Sequence, residues 1–139
     1  NVAILSVLAA GASAATHKIE VGKGGLTFNP DTVKAAKGDV VEFHFDSNHN
    51  VVAGNFKKPC NPLSSGGFFS GDLPSDDNTV FSVTINNTEP IFYYCGVGDH
   101  CQDGMVGVIN QGSDETLDDY KSAAEKASSN VSPKSAYGG

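Results

Sequence analysis

Apolar and polar residues alternate in short runs between residues 17 and 110. In HKIEVG (17–22), Ile19 and Val21 alternate with polar neighbours. In DVVEFHFD (39–46), Val41, Phe43 and Phe45 alternate with Glu42, His44 and Asp46. In TVFSVTIN (79–86), Phe81, Val83 and Ile85 do the same. PIFYYC (90–95) is aromatic and β-branched, and MVGVIN (105–110) closes the series. A period of two places one face of each strand on a core and the other in water. Turn signals separate the runs: GKGG (22–25), NPD (29–31), KGD (37–39) and NNTEP (86–90). Short strands at this spacing predict an all-β antiparallel sandwich or barrel.

Two stretches depart from the alternation. Residues 56–78, FKKPCNPLSSGGFFSGDLPSDDN, are rich in Pro, Gly, Ser and Asp and predict an irregular surface connection with at most a short helix or strand. After Asn110 the character changes again. SDETLDDYKSAAEKAS (113–128) reads as a helix capped by Ser113, with acids in the first turn and a thin apolar stripe of Leu117, Tyr120 and Ala124. Residues 113–139 are therefore expected to form a polar tail or stalk, helical or disordered, outside the domain. The opening NVAILSVLAAGASAA resembles the apolar region and small-residue cleavage site of a secretory leader. The expected organisation is a residual leader at 1–15, one domain at 16–112 and the tail at 113–139.

Composition narrows the function. The chain has 139 residues, and its 9 basic residues, all lysine, face 16 acidic ones. Without arginine the fork that grips phosphates and base edges is missing, so nucleic-acid binding is excluded as a reading. Beyond the leader no apolar run is long enough to span a membrane. Secretion would place the cysteines in an oxidising compartment, and two sequons, at Asn86 and Asn130, are candidate N-glycosylation sites.

The chemistry concentrates in CGVGDHCQDGM (95–105). Two of the 3 cysteines, one of the 4 histidines and the sole methionine lie there. Imidazole with soft sulfur selects copper, and two histidines, a cysteine and a weak axial methionine describe a blue-copper electron-transfer site. The loop supplies Cys95, His100 and Met105; a second histidine must come from His17, His44 or His49. His49, in SNHNVV at the break after a strand, is the best placed, whereas His44 falls on the polar face of its strand. If Cys95 is the metal thiolate, Cys60 and Cys101 remain to pair. A structural zinc site wants more firm N/S ligands than are then left. In the absence of a metal, Met105 would be a core filler and Cys95 a buried thiol.

These residues carry a family resemblance. FYYCGVGDHCQDGMVGVI resembles the Cys-x4-His-Cys-x3-Met loop of the cupredoxins, within them the phytocyanin-like secreted proteins of fungi. VEFHFDSNHNVV resembles the family strand that ends at the first ligand histidine. The likeness runs from about His17 to Asn110. It implies a Greek-key β-sandwich, one copper ion held by His49, Cys95, His100 and Met105, and a disulfide between Cys60 and Cys101.

The function expected from this set is one-electron transfer by a secreted monomer, free, in the cell wall or lipid-anchored at the surface. Its partner is a redox protein or a small electron donor or acceptor. Four protein ligands leave no open position for a substrate, which argues against an enzyme. No GxSxG elbow is present, GKGG lacks the Lys-Ser/Thr of a phosphate loop, and the pairs Asp76-Asp77 and Asp118-Asp119 read as solvated turns and helix starts. The alternative is a non-redox copper-binding or surface-binding module on the same fold. An enzyme with copper on an amino-terminal His17 is a third reading.

Overall fold

The alternating runs become strands close to where the pattern sets them. The computed structural model describes residue 3 and residues 13–46, 48–73 and 78–139. Most of the expected leader, as well as Asp76 and Asp77, lies outside the described residues. In chain order the elements are β1 (Thr16–Val21), β2 (Phe28–Asn29), β3 (Thr32–Val33), β4 (Val40–Phe45), β5 (Val52–Asn55), β6 (Lys58–Pro62), β7 (Val80–Thr84), β8 (Ile91–Tyr94), β9 (Val106–Ile109) and α1 (Leu117–Ala124). One sheet has the order β2-β1-β4-β7 and the other β3-β9-β8-β5-β6. The chain crosses repeatedly between them, which makes a Greek-key sandwich. The pairing is mixed rather than purely antiparallel: β1 runs parallel to β4, and β3 parallel to β9.

The first sheet follows the binary pattern. Ile19 and Val21 of β1 and Val41, Phe43 and Phe45 of β4 are buried against the second sheet, while their neighbours point outward. Phe43 sits at the centre, edge-on to Phe28 at 6.3 Å and to Tyr93 at 5.1 Å between ring centroids. On the wet face His44 lies 3.1 Å from Glu42; His17, at the start of β1 and in register with the inward Val41, lies 2.8 Å from the buried Asp39.

The second sheet is covered on both sides. Its inner face meets the first sheet. Its outer face, with Phe92, Tyr94, Val106 and Val108, packs under Leu117, Tyr120 and Ala124 of α1 and against Cys60 and Cys101. This explains why β8 and β9 read as nearly continuous apolar runs rather than alternating ones.

The short strand allowed within 56–78 is present, but the surface placement of that stretch and the reading of 113–139 are corrected here. The stretch 56–78 contains the edge strand β6, whose Pro59 and Pro62 are tolerated because only β5 pairs with it; Phe68 and Phe69 from the same stretch are buried. The segment 113–139 is not a stalk outside the domain. Its thin stripe suffices because Tyr120 is fully buried against Phe56 and Phe92, and Tyr137 pairs back onto Phe69. The helix also starts later than Ser113. Thr116 is its N-cap, accepting from the Asp119 N–H, with Asp118 and Asp119 in the first turn.

Candidate metal centre

The ligand candidates converge at one end of the sandwich. His49 follows β4, on a turn in which Asn48 has φ 64°. Cys95 directly follows β8, and Met105 directly precedes β9. Those two strands are antiparallel neighbours, so the loop between them must bring its two ends together. The Cys95 N–H donates to the Met105 carbonyl at 3.1 Å, and the Met105 N–H donates to the His100 carbonyl at 2.9 Å. The loop therefore winds tightly, with further turn bonds from His100 to Val97 and from Asp103 to Asp99.

The side chains complete the cluster. Cys95 Sγ lies 3.8 Å from His49 Nδ1 and 3.4 Å from His100 Nδ1. The donor atoms of the three residues all fall within 4.8 Å of one another. Bond lengths of about 2.0 Å to nitrogen and about 2.3 Å to sulfur give these donor separations at angles of about 104° and about 124° at a shared ion, just either side of the tetrahedral and trigonal values. The donor set thus fits one ion. Among the described residues this is the one group of three His, Cys, Asp or Glu side chains close enough to hold a metal. Met105, fully buried and joined to Cys95 and His100 by backbone hydrogen bonds, is the candidate thioether donor. His44 and His17 stay on the first sheet with their carboxylates, away from the cluster.

The electrostatics suit a metal rather than a free charge. Burial pushes the Cys95 thiol up, and burial, followed by the neighbouring His100, holds His49 down. Without an ion, burial thus favours the neutral thiol of Cys95 and the neutral imidazole of His49. A cation would displace the thiol proton, so loading releases acid.

Backbone and polar neighbours fix the ligands. Gly22, at φ 78°, lies against the His49 ring; a Cβ there would overlap His49 Cδ2 and Nε2. That close approach holds the Nε2 edge and leaves Nδ1 facing the sulfur. Asn50, fully buried, ties the two ligand segments together. Its Oδ1 accepts from the Gly96 N–H at 2.6 Å, and its Nδ2 donates to Asp72 at 3.1 Å and to Ser132 at 3.2 Å. Gly96 is constrained by space, since a Cβ would run into Ser132 Oγ. Cys60 and Cys101 form the disulfide, with Cα atoms 5.9 Å apart, and Cys95 remains a free thiol.

Sequence reasoning picked out the four ligand candidates but not Gly22, Asn50 or Ser132. The one signal for Asn50 is a polar residue directly after a ligand histidine and before an apolar pair. Nothing local marks Gly22, whose role depends on a contact across 27 residues of chain (22 to 49). The sequons also separate: Asn86 is exposed in the turn after β7, whereas Asn130 is half-buried and donates to two loop carbonyls.

No family profile matches the chain. It is 42% identical over 138 residues to a protein of Arthroderma benhamiae named "Probable GPI-anchored cupredoxin-1", covering 96% of this chain and 73% of that one. It is 35% identical over 127 residues to pseudoazurin of Paracoccus pantotrophus, covering 87% of this chain and 81% of that one. Its fold is similar to the crystal structure of pseudoazurin from Hyphomicrobium denitrificans, with a TM-score of 0.55 at 19% identity over 80% and 95% of the two chains. His49, Cys95, His100 and Met105 form a candidate copper site on that fold. Matched at these identities over most of both relatives, the chain belongs to the cupredoxin family.

Proposed function

We propose that this cupredoxin is an extracellular one-electron carrier in which His49, Cys95, His100 and Met105 would hold a single copper ion. The observation that carries the reading is the aim of Cys95 Sγ at both imidazole Nδ1 atoms inside a buried pocket. Bound copper supplies the chemistry, a one-electron change between Cu(I) and Cu(II).

The chain's own residues do the rest. Gly22 and Asn50 hold His49 and the ligand loop in place, so the donors need not move when charge changes. Burial excludes water from Cys95, and the four donors leave no position for a substrate, in keeping with a carrier rather than an enzyme. The two imidazoles are not equivalent: His49 is 8% exposed, while His100 is only half-buried. His100 is thus the ligand through which an electron leaves toward a partner protein or small molecule.

An oxidised Cys60–Cys101 pair fits a secreted location. So does the name of the Arthroderma relative, which supports a surface-anchored or cell-wall setting. Among the described residues no helix is long and apolar enough to cross a membrane. Asn86 is the sequon positioned to carry a glycan.

The test is a visible absorption spectrum and voltammetry of the Cu(II)-loaded protein. An intense thiolate band in the red, bleached by reductant, reversible in potential and lost in Cys95→Ser, is the expected result. Binding without a reversible couple would mean a copper store or surface module instead.

A further inference from the structure

Residues 130–137 run from the ligand loop back along the sandwich. At the loop end the backbone is pinned on both sides: the Val131 N–H donates to the Cys60 carbonyl at 3.0 Å, and the Tyr94 hydroxyl donates to the Val131 carbonyl. At the other end Tyr137 exchanges two hydrogen bonds with Phe69, of 2.9 and 3.0 Å. From the pinned end two side chains reach into the loop. Asn130 Nδ2 donates to the Cys95 carbonyl at 3.0 Å and to the Gly98 carbonyl at 2.9 Å. Ser132 Oγ donates to the Gly96 carbonyl at 3.0 Å and accepts from Asn50.

We propose that Asn130 and Ser132 are positioning residues that clamp the ligand loop from outside and keep Cys95 in line with His49 and His100. The functional meaning of the clamp rests on the copper reading above; its geometry does not. Backbone accounting carries the proposal. The loop's turn bonds use the carbonyls of Val97, Asp99, His100, Cys101, Gly104 and Met105. Among the described residues, the carbonyls of Cys95, Gly96 and Gly98 are met by Asn130 and Ser132. Partly buried carbonyls need donors, and two of these three belong to glycines, whose backbone is otherwise loose. Asn130 spends both amide hydrogens on the loop, and the Ser132 hydroxyl sits between the loop and Asn50, which itself follows His49. One short segment thereby touches the supports of both ligand-bearing regions.

The same two residues are the Asn and Ser of the second sequon. A glycan on Nδ2 replaces one of its two hydrogens, so a chain glycosylated at Asn130 cannot make both loop bonds. Clamp and glycan are alternatives at this position.

The test uses four variants. Asn130→Asp keeps the size but turns the donor into an acceptor. Ser132→Ala removes the hydroxyl, Ser132→Thr restores it, and Asn86→Gln removes the other sequon as a control. Hydrogen exchange of the metal-free proteins is read at residues 95–105, with β1 and β4 amides as the check that the fold is kept. The expected result is exchange at least about tenfold faster in Asn130→Asp and Ser132→Ala, and wild-type rates in Ser132→Thr and Asn86→Gln. For the copper-loaded proteins, removal of the ion by a chelator should speed up about 10- to 100-fold in the first two variants alone, the usual effect of losing a group that orients a ligand. Loop exchange within twofold of wild type in Asn130→Asp and Ser132→Ala would overturn the clamp. Faster exchange with unchanged copper release would overturn the positioning role. If Asn130→Asp does not fold, the Ser132 pair decides the matter. A wild-type protein with no copper–thiolate band would defeat the copper reading, while the exchange data would still judge the clamp.

Discussion

The two sheets differ in what they face, and the difference locates the function. The β2-β1-β4-β7 sheet has one dry and one wet face, as the strict alternation of half-buried and buried residues along Val40–Phe45 shows. The β3-β9-β8-β5-β6 sheet is dry on both, with all four residues of β9 buried. Cys95 and Met105 extend directly from β8 and β9. A site whose donors must keep their spacing through a change of charge is therefore mounted on strands that cannot shift without disturbing two packed layers. The wet sheet contributes His49 through a turn, and that turn is held by Gly22 and Asn50 rather than by packing from both sides.

The sharpest way to break the contrast is to uncover the outer face of the second sheet. Tyr120→Ala removes a fully buried ring wedged against Phe56 and Phe92. It should cost about 3–5 kcal/mol, as large aromatic deletions do, read as the drop in urea midpoint of the metal-free protein. A loss under about 1 kcal/mol would show that α1 is an ornament and that the sheet is stable with one face wet.

That prediction also marks where sequence reasoning stopped. The alternation in residues 39–46 and 79–86 is a local record of one wet face, so the first sheet was legible strand by strand. The second sheet's outer cover comes from residues 117–124, far along the chain, and an apolar stripe of three residues looks too thin to bury. It becomes sufficient only because Phe56 and Phe92 complete the cluster. The site divides in the same way. Cys95, His100 and Met105 were legible because soft ligands cluster within one loop, and His49 because it stands at a strand's end. Gly22, Asn130 and Ser132 act through backbone proximity, which no spacing along the chain records.

The disulfide is the next largest lever, and it belongs to the doubly covered side. Cys60 and Cys101 are 41 residues apart and tie β6 to the ligand loop. Replacing both with alanine should cost about 4 kcal/mol in the chain-entropy account. Because the bond flanks His100, the variant should also release copper faster, a change that a purely global loss of stability would not produce below the unfolding midpoint. Equal copper-release rates in the two proteins would place the bond outside the site's support.

On the wet-sheet side the sensitive point is the seat of His49. Gly22→Ala introduces a Cβ into the space of the imidazole at a backbone φ of 78°, so the ring must tilt away from Cys95. Copper affinity should fall about 10- to 100-fold, with a shifted thiolate band in competition titrations. An unaltered spectrum would mean that the ring can turn freely and that the wet sheet does not constrain its ligand.

A smaller effect is expected where β1 enters the first sheet. Asp39 is held down to about 2, chiefly by the hydrogen bond from His17 and then by the Ala15 and Ala36 N–H groups. A carboxyl lowered by folding stabilises the protein above its ordinary value of 3.8. That contribution disappears as pH falls from there through about 2, where the folded form also takes up the proton. Metal-free wild type should therefore exceed Asp39→Asn in stability at pH 5 and above, and the gap should close on acidification across that window. A gap that is constant down to pH 2 would remove ionisation from the account of this contact.

The least effect belongs to the face the first sheet turns to water. His44 sits on the same strand that leads to His49, but its side chain points outward and lies 3.1 Å from Glu42, both partly exposed. An exposed pair of this kind contributes about 0–1 kcal/mol. His44→Gln should thus leave the urea midpoint within about 0.5 kcal/mol of wild type and the copper spectrum unchanged. The two histidines, five residues apart in sequence, test the contrast between the faces directly: loss of His49 should abolish the site, and loss of His44 should be nearly silent. If His44→Gln cost as much as a core deletion, this face would be packed against something rather than wet, and the distinction between the two sheets would fail.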